Sequence, residues 1–246
     1  LNLISRIKNS SLSEASKTGD IRFSRNEELT EERYNQAKSK GETELTFKQW
    51  QQVRSPEFKA WFGDWENDPE NASKVVNPKT GEPLVVYHGT NNDDFYSFEK
   101  YHDGYDDAPS EAFFFTNDLE TAEEYAGYNG RIIGSFLYIK EPFSQFDESH
   151  VDELNSSIDD GEVNSPTYGE VPPHFSTSEN MWNTIADNSH RLAHNDILNG
   201  VLNWVAYNGY DGVILSDSIR DAGESVSYAV FNPNQIKSAT DNTGAF

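Results

Sequence analysis

Residues 84–90 read LVVYHGT, an apolar and aromatic run that ends in histidine, glycine and threonine. β-Branched and aromatic residues in a run of this length are a strand signal. The turn-rich stretch NPKTGEP at 77–83 sets its start. His88 therefore stands at the tip of a strand, where side chains meet ligands, and Gly89 behind it lets a backbone come close to something. The chain holds only six histidines, so this placement makes the strand tip the first candidate site.

Working outward, AFFFT at 112–116, RIIGSFLYIK at 131–140, YDGVILSD at 210–217 and VSYAVFNPNQI at 226–236 read as further strands. FYSF at 95–98 reads as a shorter strand piece. DLETAEEYAGY at 118–128 is helical, with Asp118 placed to cap it. Helical text resumes over 178–209, where Ile197, Leu198, Val201, Leu202, Trp204 and Val205 form a buried face. Before the first strand, TELTFKQWQQVRSPEFKAWFGDW at 43–65 spaces its aromatics helically and breaks at Ser55-Pro56, which predicts two short docking helices. Residues 1–42 are polar and read as an arm or linker; 144–175 are acidic and turn-rich and read as a surface insertion. Strands separated by single helices or loops predict an α+β fold around a mostly antiparallel sheet with flanking helices, spanning 43–246.

The bulk composition limits the partners. Fifteen Phe, twelve Tyr and five Trp can build a core although only 35% of the residues are hydrophobic. A formal charge of −23 repels phosphate backbones at long range and argues against stable non-specific nucleic-acid binding. The absence of cysteine excludes disulfides and thiolate metal sites. No apolar run is long enough for a membrane helix and no signal peptide opens the chain, so a cytoplasmic setting is expected, in its own cell or a target cell. Because it begins at Leu1 and contains one methionine, Met181, the chain is read as a piece of a longer polypeptide.

Three other constellations are weaker. His190 and His194 in HRLAH have the i,i+4 spacing of helical zinc ligands, but the motif's glutamate and a third ligand are missing. The acidic stretches NNDDF (91–95) and YDDAPSE (105–111) lack the ligand ladder of a calcium loop, so no metal is expected. Neither GxGxxG nor a P-loop is present, so any nucleotide is held without the usual phosphate cradles.

Taken together, SPEFKAWFGDW, GEPLVVYHGT, FFFTNDLETAEEYAG, YDGVIL and VFNPNQIKSA, in that order over residues 55–240, resemble the ADP-ribosyltransferase superfamily. The resemblance is to its diphtheria-toxin and poly(ADP-ribose) polymerase branch, and within it to domains of large bacterial and phage polyvalent proteins. It implies a split sheet with NAD in the cleft between its halves. His88 would then bond a ribose hydroxyl and the backbone at Gly89 would meet the nicotinamide amide, with Tyr87 and Thr90 beside them. Tyr125 would stack on the nicotinamide ring and Phe114, eleven residues earlier, would cover its other side next to Phe115. The family's third signature is a glutamate on the late strand; here Ser227 takes its place, with Glu224 three residues earlier in the turn. A serine lacks the charge of a carboxylate. The resemblance thus implies mono-ADP-ribosylation of a protein or nucleic acid by a toxin or effector module, with an NAD-binding module that lacks transfer activity or an NAD glycohydrolase as alternatives.

Overall fold

The computed structural model describes residues 29–91, 98, 112–166, 169–188, 194–217 and 225–240. The chain divides into two units, residues 1–55 and 56–246. In the first, helix α1 (Glu31–Lys40) starts at Thr30, whose hydroxyl accepts from the Arg33 N–H. It stops at Gly41, which takes the left-handed φ of 72° that glycine adopts without a Cβ penalty. Helix α2 (Phe47–Arg54) opens on a reciprocal Thr46–Gln49 capping box. The Tyr34 ring lies 5.3 Å from Phe47 and 6.0 Å from Trp50. That aromatic contact joins part of the expected polar arm to the aromatic segment after it, so the unit boundary falls beyond residue 42.

In the second unit, α3 (Pro56–Phe62) precedes the strands β1 (Val86–Thr90) and β2 (Phe113–Thr116) and the helix α4 (Leu119–Ala126). Then follow β3 (Arg131–Leu137), β4 (Pro142–Ser144), α5 (Glu148–Asp159), α6 (Met181–Asn188), α7 (His194–Tyr207), β5 (Gly212–Ser216), β6 (Val226–Val230) and β7 (Ile236–Ser238). Among the described residues these strands form one sheet in the order β4-β5-β6-β2-β1-β3-β7. The sheet is mixed, not the mostly antiparallel one expected from the sequence, because β4 runs parallel to β5. Sequence reading missed β4: it has three residues and starts with Pro142, which only an edge strand tolerates. The Asp211 carboxylate fixes it from outside the ladder, accepting from the Lys140 and Glu141 N–H groups at 2.8 and 2.9 Å.

The core differs from expectation over 144–175. That segment contains α5, whose Val151, Leu154 and Ile158 are buried in one cluster with Val163, Phe175, Phe143 and the inner face of α7. Spacings of three and four residues are the helical period, which the surrounding acidic residues obscure in the sequence. The acidic face, including Asp152, Glu153 and Asp159, remains exposed. FYSF, both acidic stretches and His190 lie outside the described residues, apart from Asn91 and a buried Phe98.

Leu154 exposes none of its surface, so Leu154→Ala should lower unfolding stability by about 2–5 kcal/mol in guanidinium titrations. A residue in a surface insertion would change it by no more than about 0.5 kcal/mol.

Candidate functional site

The two halves of the sheet, β4-β5-β6-β2 and β1-β3-β7, meet through a single residue pair, Tyr87 with Thr116. Continuing that antiparallel register would set Gly89 opposite Phe114, but the strands have separated by then. The His88 side chain enters the gap and its Nδ1 lies 2.8 Å from the Phe114 carbonyl oxygen. A carbonyl can only accept, so Nδ1 carries the proton and Nε2 of the neutral ring carries the lone pair. Burial pushes the imidazole pKa below its usual 6.5, with the bond to the Phe114 carbonyl opposing part of that shift. Phe98 and Phe115 pack on the same ring at 5.3 and 5.6 Å.

Across the junction, Thr116 pairs with Tyr87 on one side and with Ser227 on the other. Directly paired residues share a face of a sheet, so these three side chains stand in one row. Thr116 also accepts from the Asp118 N–H at 3.2 Å, and the Asp118 carboxylate caps α4 through the Thr121 N–H at 3.1 Å. Asp118 is the cap, as the sequence indicates, and Thr116 braces it.

Helix α4 lies with its backbone against β1, and this gives Gly89 a different reason from the one expected. A Cβ at 89 would stand 2.0 Å from the Ala122 carbonyl oxygen, so the missing side chain makes room for the helix. Gly130 serves the same contact, since its Cβ would come 1.9 Å from the Ala126 carbonyl oxygen. The close approach sets the last turn of α4 beside Gly89, where Tyr125 stays 49% exposed. Strand β1 pairs with β3 as far as Thr90, so His88 is the middle residue of its strand and not at the tip expected from the sequence.

A cavity of about 340 Å³ opens at this junction, bordered by Tyr87, His88, Gly89, Phe114, Phe115 and Thr116 from the two central strands. Tyr125 from α4, Trp182 from α6, Asp217 from the end of β5 and Ser227 from β6 complete its wall. Of the residues singled out in the sequence, Tyr87, His88, Gly89, Phe114, Phe115, Tyr125 and Ser227 border this one cavity. Phe115 is almost fully buried and serves mainly as core. Thr90 lies on β1 but does not border the cavity. Glu224 lies outside the described residues.

Two wall residues were not anticipated. Trp182 packs on Phe114 with ring centroids 5.3 Å apart, and its indole N–H is buried without an acceptor among the described residues. In the sequence it is one more aromatic in a helical stretch, and nothing local sets it apart. Asp217 is fully buried and accepts the Ser227 hydroxyl on Oδ2 at 2.9 Å. It ends the strand YDGVILSD, and an acidic residue closing an apolar strand was the available signal. Among the described residues no cluster of three or more metal-ligating side chains occurs, and no helix is long and apolar enough to cross a membrane.

The model of a family described as "ADP-Ribosyltransferase in polyvalent proteins" matches residues 78–246, and this chain belongs to that family. The match takes in every strand and every wall residue of the cavity. No curated protein sequence matches the chain. A solved structure described as the crystal structure of an anti-CRISPR protein is similar at 11% identity, over 63% of this chain and 93% of the other, with a TM-score of 0.32. A likeness that distant carries no weight for fold or function.

Two outcomes follow from the packing and the burial. Gly89→Ala should cost about 1–3 kcal/mol or more by driving α4 off β1, seen as a lowered thermal midpoint. The His88 pKa is lower folded than unfolded, so the unfolded chain binds more protons and stability falls as pH drops below about 6.5. His88→Gln should flatten that part of the stability profile relative to wild type, measured by urea midpoints at a series of pH values from neutral downward.

Proposed function

We propose that the second unit is an NAD-dependent mono-ADP-ribosyltransferase, acting on a macromolecular acceptor. The observation that carries this reading is the cavity at the separating strands, where a histidine of fixed tautomer meets aromatic walls and a hydroxyl–carboxylate pair. Its volume sits at the low end of small-molecule sites, suited to the nicotinamide–ribose half of a dinucleotide. Tyr125 is exposed enough to stack on a planar cationic ring, with Phe114 and Trp182 forming the opposite wall. With Nδ1 committed to Phe114, His88 turns Nε2 towards a ribose hydroxyl. Holding ring and sugar in this way orients the glycosidic bond for cleavage, and polar groups already in place stabilise the charge that develops.

The β6 position carries serine and not a carboxylate, which disfavours chain elongation and supports a single transfer. A surface of net charge −23 favours basic protein acceptors over nucleic acid. As one module of a longer polypeptide acting in the cytoplasm of its own or a target cell, the domain would serve as a toxin or effector. The serine is also the observation that favours a second reading, a module that binds NAD without transferring it.

The test is incubation of the protein with radiolabelled NAD and basic proteins or a cell lysate. Label on a macromolecule, lost by about a hundredfold or more in His88→Ala and in Tyr125→Ala, is the expected outcome. Free ADP-ribose without label on any macromolecule means a glycohydrolase. Binding of NAD without nicotinamide release means a binding module.

A further inference from the structure

Ser227 borders the cavity, and its hydroxyl donates to Oδ2 of Asp217, a residue of the same wall, at 2.9 Å. Asp217 exposes no surface to solvent, while Ser227 is 6% exposed, so the serine is the more accessible member of the pair. A serine that donates to a carboxylate keeps only oxygen lone pairs for its other neighbours. Its oxygen is then a more strongly accepting group than a free hydroxyl, since hydrogen bonds polarise one another in a low-dielectric interior.

The backbone that carries Asp217 is anchored on both sides. The Asp217 N–H donates to the Ser225 carbonyl at 3.0 Å, and its own carbonyl accepts from the Asn180 side-chain amide. One residue back, the Ser216 N–H and hydroxyl both donate to Gln145 Oε1, at 3.1 and 3.2 Å. Gln145 and Asn180 are themselves buried. The end of β5 is thus tied to two other segments just where the Asp217 side chain turns towards β6.

We propose that Ser227 and Asp217 work as one unit: Ser227 is the catalytic residue that touches the ribose, and Asp217 is the positioning residue that orients it and supplies negative charge. This rests on the transferase reading above. In the reaction, the bond between the ribose carbon and the pyridinium nitrogen breaks and its electron pair leaves with nicotinamide. A lone pair of the acceptor forms the new bond to that carbon, and the proton the acceptor sheds goes to water. Positive charge builds on the sugar in between, and the pair lowers its energy from a fixed place in the wall.

The experiment measures nicotinamide release from NAD, with basic proteins or a cell lysate present as acceptor, by wild type, Asp217→Asn, Ser227→Ala and the double variant, each with its unfolding midpoint. Asparagine keeps the size and an accepting oxygen but removes the charge. The expected result is a kcat lowered by about a hundredfold in Asp217→Asn with KM changed by no more than about threefold, which a purely structural brace would not give. The double variant should be no slower than the slower single variant, because the two side chains act together. An Asp217→Asn variant with wild-type kcat overturns the proposal and leaves the transferase reading standing. A changed KM and midpoint with kcat unaltered also overturns it. Wild-type protein that releases no nicotinamide removes both readings. If Asp217→Asn fails to fold, Ser227→Ala decides: full kcat overturns the pairing, and a loss of about a hundredfold with KM unchanged upholds it.

Discussion

The bond from His88 Nδ1 to the Phe114 carbonyl stands where a ladder rung between β1 and β2 would otherwise be. Sheet halves joined through one residue pair would have backbone groups facing an apolar gap, and a buried polar group without a partner costs about 1–3 kcal/mol. An imidazole supplies a donor on a side chain, so the strands can part without leaving the Phe114 carbonyl bare. Burial then disfavours the charged ring, and the neutral tautomer is fixed by the same bond. Opening the sheet and fixing the His88 tautomer are therefore one event.

Around that opening each wall is held by something remote from it. Helix α4 reaches β1 because Gly89 and Gly130 leave space for its carbonyls. Asp217 reaches Ser227 because β5 and β6 pair in a register that sets Leu215, two residues before Asp217, opposite Ser227. Trp182 reaches Phe114 because the residues before α6 are anchored to β5 through Asn180. Few of these groups can move independently, as the transferase reading proposed above requires.

The parallel strand β4 and the buried α5 make the outer half of the sheet more substantial than its acidic sequence suggests. Phe143 on β4 packs edge-on against Trp204 and Tyr210, with the His150 ring stacked on it at 5.8 Å. Tyr210 also donates to Glu153 on α5 at 2.7 Å, and burial together with that carboxylate pushes its pKa up to about 12. Negative charge on α5 thus lies over an aromatic core instead of marking a surface insertion.

By itself the sequence determined the local elements and most of the cavity's wall. LVVYHGT, FFFT and SYAV are strands because β-branched and aromatic residues suit a pleated surface, and DLETAEEYAG is a helix because Asp118 can cap it. These are short-range rules, and the ordered motifs carried His88, Phe114, Tyr125 and Ser227 into one candidate site. What the tertiary structure decided depends on registers and docking between segments far apart in the chain. Only packing shows that Gly89 is small for the sake of α4, that residues 148–159 are core, and that β4 joins the sheet in parallel. Only the β5–β6 register turns Asp217 from the last residue of a strand into the partner of Ser227, because a hydrogen bond is made across space and the sequence records only distance along the chain.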